Sequence, residues 1–342
     1  MPFFSIIIVS WNALHHLKTY FPSVAATDYP NYEIILADNA STDGSKQWIR
    51  EHYPNVKIAE FDNNYGYCGG NNRAVPHAEG DILIFLNNDV RVEPNWLNEL
   101  ATCFQKNDSI AAVQPKMLWD EDSSFFEYAG AAGGFLDKLG YPFCRGRIFD
   151  TLEKDQGQYD YESDIFWASG AALAIRKELF EEVGPFDEDF EFHMEEIDLC
   201  WRLWNMGYRV RYCPGSTVYH LGGGSLPMDS PRKLYYNYRN NLRMIWKNSS
   251  GRSIAWQFIG RYFLDIASAL KTLTDGDIES FKAIARAHCD FWKGFHATYQ
   301  KRHLLQQKRK VEDNPPVMLK NSIVWDYFIS GKQKFSDIFS RK

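Results

Sequence analysis

The 342-residue sequence has no Cys-x-x-Cys pair, and its six cysteines (Cys68, Cys103, Cys144, Cys200, Cys213, Cys289) lie far apart. That spacing argues against a zinc site or a disulfide framework and predicts reduced thiols in a cytoplasmic compartment. No uninterrupted run of about 18 apolar residues occurs, so a transmembrane helix is not expected. The nearest candidate, Ile254–Leu270, is broken by Arg261 and Asp265. A basic excess is also missing. The net charge of −6 excludes non-specific nucleic-acid binding through a cationic surface. The opening Met1–Val9 lacks a basic leader and reads as a first strand rather than a signal peptide. Internal repeats and low-complexity segments are absent.

What is present is a globular composition, 45% hydrophobic and 24% charged, with length for about two domains. Aromatic residues are abundant at 16%, as core and interface material first and as platforms for sugar faces second. The first third alternates strand and helix. Strands are expected at Phe4–Ser10, Tyr32–Ala37, Val56–Phe61 and Asp81–Leu86, and helices at Leu14–Ala26, Ser45–Tyr53 and up to Ala78. Four such repeats imply a mostly parallel sheet with right-handed crossovers, whose ligands sit beyond the carboxyl ends of the strands. Polar motifs fall at those ends: Ser10-Trp11-Asn12, Asp38-Asn39, Asn63-Asn64 and Asn88-Asp89. Phe125–Tyr161 reads as a long hairpin or loop excursion over the site. After Gly222-Gly223-Gly224 the chain turns helical over Ser230–Asn248, Ser253–Thr274 and Ile278–Gln307, the last broken by Asn314-Pro315-Pro316.

Each motif has a chemical and a plain structural reading. Asp38 at a strand tip can accept the N3–H of uracil or thymine, whereas Asp43, in Ser41-Thr42-Asp43, is better explained as a cap. The Gly-rich Asn63–Arg73 opens a helix, where backbone N–H groups can approach a phosphate or ribose, or simply make a turn. It lacks the lysine of a P-loop. Asp89 ends a buried strand and suits a hard divalent cation. His220 ends the apparent strand Thr217–Tyr219, and its imidazole suits Mn2+ better than Mg2+. Between them lies the acid cluster Glu195-Glu196-Ile197-Asp198, costly unless used, beside a pocket floor of Ser169-Gly170-Ala171. Together these features point to an enzyme handling a nucleotide-activated sugar.

Taken jointly, Ser5–Asn12, Ala37–Ser45, Asn63–Ala74, Leu86–Val90, Ala168–Arg176, Gly184–Glu188, Glu195–Arg202 and Val218–Gly222 resemble the inverting family 2 glycosyltransferases, which include bacterial rhamnosyltransferases. The resemblance implies an α/β GT-A (nucleotide-diphospho-sugar transferase) fold with a Rossmann-like, mostly parallel central sheet and a helical C-terminal extension. It divides the chain into a nucleotide-sugar-binding half (1–111), an acceptor-binding and catalytic half (112–229) and a helical region (230–342). By similarity Glu196 stands at the catalytic base, with Glu195 and Asp198 beside it, although Asp198 can equally cap its helix. Ser10, Asn12, Asp38, Asn39, Asn64, Gly66, Asn72, Asn88 and Gly170 would bind the nucleotide sugar, and Asp89 and His220 would hold Mn2+ or Mg2+. Two departures stand out: the family's Asp-x-Asp is Asn87-Asn88-Asp89, and the base is Glu rather than the commoner Asp.

The implied reaction is transfer of a sugar, rhamnose from dTDP-rhamnose first, to a hydroxyl of a glycan or lipid-linked glycan in cell-surface polysaccharide synthesis. The rivals are a UDP-hexose-dependent glycosyltransferase and a non-catalytic sugar-nucleotide-binding protein. Lys301, Arg302, Lys308, Arg309 and Lys310, followed by a Trp/Tyr/Phe-bearing tail, predict peripheral contact with the cytoplasmic face of the plasma membrane. The alternative is a tail packed on the catalytic domain.

Overall fold

The computed structural model describes residues 1–127, 130–222 and 230–339. β1 (Phe4–Ser10), α1 (Leu14–Ala25), β2 (Tyr32–Asp38), α2 (Ser45–His52), β3 (Lys57–Glu60), α3 (Gly66–Ala74) and β4 (Ile82–Leu86) give the expected alternation. The runs Ile6-Ile7-Ile8 and Ile82–Leu86 are buried throughout, which places their strands mid-sheet with helices on both faces. β1 pairs in parallel with β2 on one side and β4 on the other. The chain thus leaves β1 in one direction and later returns on its opposite flank. At such a reversal the crossovers diverge and open a crevice beyond the strand ends, where Ser10, Asp38 and Asn87–Asp89 lie.

β5 (Val90–Val92), α4 (Trp96–Gln105) and β6 (Ile110–Trp119) follow. The excursion then folds as a separate antiparallel sheet of β7 (Gly134–Leu136), β8 (Pro142–Cys144), β9 (Arg147–Ile148) and β10 (Thr151–Leu152). β11 (Ser163–Asp164), β12 (Ala172–Arg176), α5 (Lys177–Val183), α6 (Glu195–Asn205) and β13 (Arg209–His220) return the chain to the main sheet. Its order is β11-β13-β6-β12-β4-β1-β2-β3, with β5 also on β13. β12 runs antiparallel between β4 and β6, and β6 and β13 run parallel, so the sheet is mostly but not wholly parallel.

The C-terminal region comprises α7 (Pro231–Asn248), α8 (Ile254–Thr274), α9 (Ile278–Lys293), α10 (Phe295–Lys308), α11 (Ile323–Phe328) and α12 (Phe335–Ile338). Ser230 accepts the Lys233 N–H at 3.2 Å and Pro231 follows it, a sufficient start signal for α7. Of the expected glycine boundary, residues 223–229 lie outside the described residues. The single helix expected over Ile278–Gln307 is two helices. Gly294 separates them, and a Cβ there would stand 3.1 Å from the Arg243 guanidinium. Helix α10 ends at Lys308, before the Pro-Pro pair, and the Arg309 guanidinium donates to the carbonyls of Val311, Asn248 and Asp313.

The basic cluster has partners within the molecule. Lys301 pairs with Asp187 and Asp189, at 2.5 and 2.6 Å, and Arg302 donates to the carbonyls of Trp246 and Ser249. Lys308 donates to the Glu182 carbonyl, and Lys310 lies 3.6 Å from the Glu182 carboxylate. The tail packs on the excursion: Phe335 and Phe339 stack on each other at 4.5 Å and rest on Phe135. Buried Asp137 clamps the two together by accepting the N–H groups of Leu139, Tyr141 and Ile323.

Candidate active site

On the donor side of the crevice, β1 and β2 end side by side, with Ser10 opposite Asp38. Asp38 is fully buried. One of its oxygens accepts the Ser41 N–H at 3.1 Å and faces Lys46 at 3.5 Å, while Oδ1 has no partner. Ser10 Oγ and Asn39 Oδ1 are likewise buried and unpartnered. Three polar atoms stranded at neighbouring strand ends are expensive unless a ligand's donors meet them. Asn12 and Ala40 hold positive φ, 49° and 61°, in the same corner. Backbone strain concentrated at a pocket rim is a common signature of a binding site.

The remaining residues expected to bind the donor divide by role. Asn12 builds the loop, accepting the Thr42 N–H at 2.8 Å, and Asn64 accepts the Gly66 N–H at 2.9 Å. Asn88 reaches the Val9 carbonyl at 3.4 Å, and the Gly170 carbonyl accepts the Tyr67 hydroxyl at 2.7 Å. Asn72 is engaged by the backbone. Its amide exchanges hydrogen bonds with the backbone of Phe186, which ties α3 to the loop before α6. The Gly-rich stretch is a packing device. A Cβ at Gly70 would lie 2.8 Å from the Asn39 amide and 2.9 Å from Val9, so glycine lets α3 press onto the strand ends. Asp43 caps, as expected, accepting the N–H groups of Leu14 and Ser45.

The corner that holds Asp89 and His220 is assembled by strand pairing. β13 pairs antiparallel with β5, with His220 opposite Val90, and this sets His220 beside Asp89. His220 Nε2 lies 3.2 Å from Asp89 Oδ1, and Nδ1 lies 3.2 Å from Glu127 Oε1. All three side chains are buried. Burial alone would lower the imidazole pKa, but Glu127 and Asp89 outweigh it and push it up to about 10. Burial would raise the Asp89 pKa, and His220 holds it below the ordinary value instead. Two carboxylates around one imidazole make a site that favours positive charge. Among the described residues no set of three or more His, Cys, Asp or Glu side chains is arranged to hold a metal. Asp89 and His220 thus meet here as a buried acid–base pair, with Glu127 on the far side of the ring. Glu127 was not foreseen: it lies far from His220 in the chain, and its only sequence signal is an acid directly after Phe125-Phe126.

The acid cluster opens α6. Glu191, His193 and Met194 all have positive φ just before it, an irregular turn held by the buried face of α7. Asn240 donates to the carbonyls of Phe190, Phe192 and His193, and Arg239 to those of Asp189 and Phe190. Glu195 is buried and Glu196 partly exposed, and each keeps a carboxylate oxygen without a partner. Burial raises both pKa values. Glu196 is pushed up to about 7, and Glu195 rises further because Glu196 and then Asp198 repel its charge. Asp198, expected beside the base or as a cap, has a bracing role. Fully buried, it accepts from Arg202, Lys247 and Asn248 at 3.0, 3.0 and 2.7 Å, and so pins α6 to α7.

The family model "Glycosyl transferase family 2" matches residues 5–184, more than half of the chain. The O-antigen biosynthesis protein RfbC of Myxococcus xanthus is 32% identical over 236 residues, spanning 67% of this chain but only 18% of that protein. An N-acetylglucosaminyl-diphospho-decaprenol L-rhamnosyltransferase of Mycobacterium tuberculosis is 28% identical over 263 residues, 72% of this chain and 85% of its own length. The solved structure of GalNAc-T7 with UDP, GalNAc and Mn2+ shares the fold, with TM-score 0.57 and 20% identity over 94% of this chain and 59% of that one. The sequence match and the crevice it surrounds lead to one assignment: this chain belongs to glycosyl transferase family 2 and is a glycosyltransferase with the GT-A fold.

Proposed function

We propose that the chain transfers a sugar with inversion from a nucleoside diphosphate to a hydroxyl of a glycan or lipid-linked glycan, with rhamnose from dTDP-rhamnose as the donor. The rhamnosyltransferase and O-antigen relatives support the sugar and the acceptor class. The observation that carries the reaction is Glu196: partly exposed, with an unpartnered carboxylate oxygen and a pKa near neutrality. A carboxylate so placed takes a proton effectively at neutral pH. Glu196 removes the acceptor's hydroxyl proton as that oxygen attacks the anomeric carbon from the face opposite the leaving diphosphate. One in-line displacement inverts the centre. Glu195, held protonated by burial and by its neighbour, keeps a second negative charge away from the attacking oxygen.

On the donor side, Asp38 accepts the N3–H of the thymine, while Ser10 and Asn39 take ribose or base donors at their unpartnered oxygens. Asp89 and His220 would hold Mn2+ or Mg2+ once the imidazole has given up its proton, with the Glu127 carboxylate beside Nδ1. When bound, that cation neutralises charge on the departing diphosphate. A thermal-shift panel of dTDP-rhamnose, UDP-glucose, UDP-galactose and UDP-N-acetylglucosamine, with and without Mn2+, tests the donor. Stabilisation by dTDP-rhamnose above the others is expected; preference for a UDP-hexose would move the assignment to a hexosyltransferase.

A further inference from the structure

Helix α8 buries Phe258 together with the polar Gln257, Arg261 and Asp265. Arg261 pairs with Asp265 at 2.6 Å and donates to Asn241 on α7, while Tyr141 and His288 also reach the Asp265 carboxylate. The opposite side is apolar and open to solvent. Trp256, Ile259, Phe263, Ile266, Leu270 and Leu273 are 75, 49, 70, 53, 54 and 46% exposed. Their spacing is three, four, three, four, three. That is a heptad seam continued over most of a 21-residue helix.

Three properties of this stripe select its occupant. Large aromatic side chains present about 150–250 Å2 each, so the row exposes on the order of 700 Å2, above the few hundred usual for a monomer. Covering it with the same row of another copy would remove about 1,400 Å2, within the range of a stable specific interface. The second property is width. A strict 3.5-residue row is the seam of helix-on-helix packing, narrower than the broad apolar face of a helix lying in a bilayer. The positions flanking it are Ala255, Gly260, Tyr262, Ala267 and Ala269, mostly small and all uncharged, which permits close approach. The third is charge. No Lys or Arg stands on the open face of α8 before Lys271, which pairs with Asp275, and the whole chain carries −6. An anionic leaflet gains little from such a surface.

We propose that a second copy of this chain docks on the α8 seam, α8 against α8 about a two-fold axis, so that the same row serves both subunits. Sedimentation equilibrium of the full chain at micromolar concentration should give twice the 39.7 kDa monomer mass. Phe263→Glu and, independently, Leu270→Glu should each yield a monomer with an unchanged circular-dichroism spectrum, since both side chains are already in solvent. A monomeric wild-type chain overturns the proposal, as does a dimer that survives both substitutions. Wild-type monomer that co-sediments with phosphatidylcholine/phosphatidylglycerol vesicles, and loses this on Phe263→Glu, would assign the face to a bilayer instead.

Discussion

His220 Nε2 and Asp89 Oδ1 stand 3.2 Å apart although 131 positions separate the two residues, because the antiparallel register sets the end of β13 against the start of β5. At that distance the two pair as buried acid and base: against burial, Glu127 and Asp89 push the His220 pKa up to about 10, and His220 holds that of Asp89 below its ordinary value. Asn87 stands where the resemblance implies the family's first triplet carboxylate, so the proposed cation would rest on Asp89 and His220.

The first prediction concerns Glu127, whose carboxylate lies 3.2 Å from the other imidazole nitrogen. Partners of this kind fix ring orientation and tautomer, and losing one typically costs about 10- to 100-fold in metal affinity. Glu127→Gln should raise the Mn2+ concentration for half-maximal activity by about that factor, and His220→Ala by more. Calorimetric titration of Mn2+ in the presence of dTDP provides a readout independent of turnover. Full activity in excess EDTA would remove the metal role from all three residues.

The second concerns pH. A general base works deprotonated, and burial raises the Glu196 pKa to about 7. Activity should therefore fall as the pH drops through about 7, close to tenfold per unit below it, and level off above. A kcat/KM profile from pH 5.5 to 9 checks this. A limb near pH 4.5 would indicate a base in ordinary solvent.

The third concerns the brace between α6 and α7. Lys247 is buried against Asp187 and Asp198, at 2.6 and 3.0 Å. Removing one member of a buried pair costs about 3–5 kcal/mol through the charge left behind. Lys247→Met should lower unfolding free energy in urea by that order, and Asp198→Asn should act on stability more than on donor KM. The pH dependence has a defined sign. Burial would raise the Asp187 pKa, but Lys247 and Lys301 outweigh it and hold it well below the carboxylate range. Its stabilisation is complete above that range and is lost as the pH falls through it.

The fourth concerns Gly70, whose missing Cβ leaves room for the Asn39 amide. Gly70→Ala should displace Asn39 and weaken dTDP binding by about tenfold, a loss of roughly 1.4 kcal/mol. Binding unchanged in a fluorescence titration would place Asn39 outside the donor site.

The strand–helix alternation was readable because apolar runs such as Ile6-Ile7-Ile8 carry their own period and sit between turn signals. The placement of Asp38, Asp89 and Glu195-Glu196 at strand ends and a helix start was readable too, since it follows from the same alternation. Side-chain partnerships across long separations were not. Asp198 looked like a cap by position, and only the polar inner face of α7 shows it to be a brace. Lys301 and Arg302 looked like a surface patch, yet their partners lie more than 50 positions away. Glu127 escaped for the same reason, its place beside His220 resting on a contact 93 positions away that no local pattern announces.

The most direct test of the account is the single-turnover rate of Glu196→Gln against Glu195→Gln, with donor affinity measured on each. The account predicts that Glu196→Gln binds dTDP-rhamnose normally and loses at least about 10² in rate, while Glu195→Gln loses much less. Normal turnover by Glu196→Gln, with Glu195→Gln inactive, would contradict it.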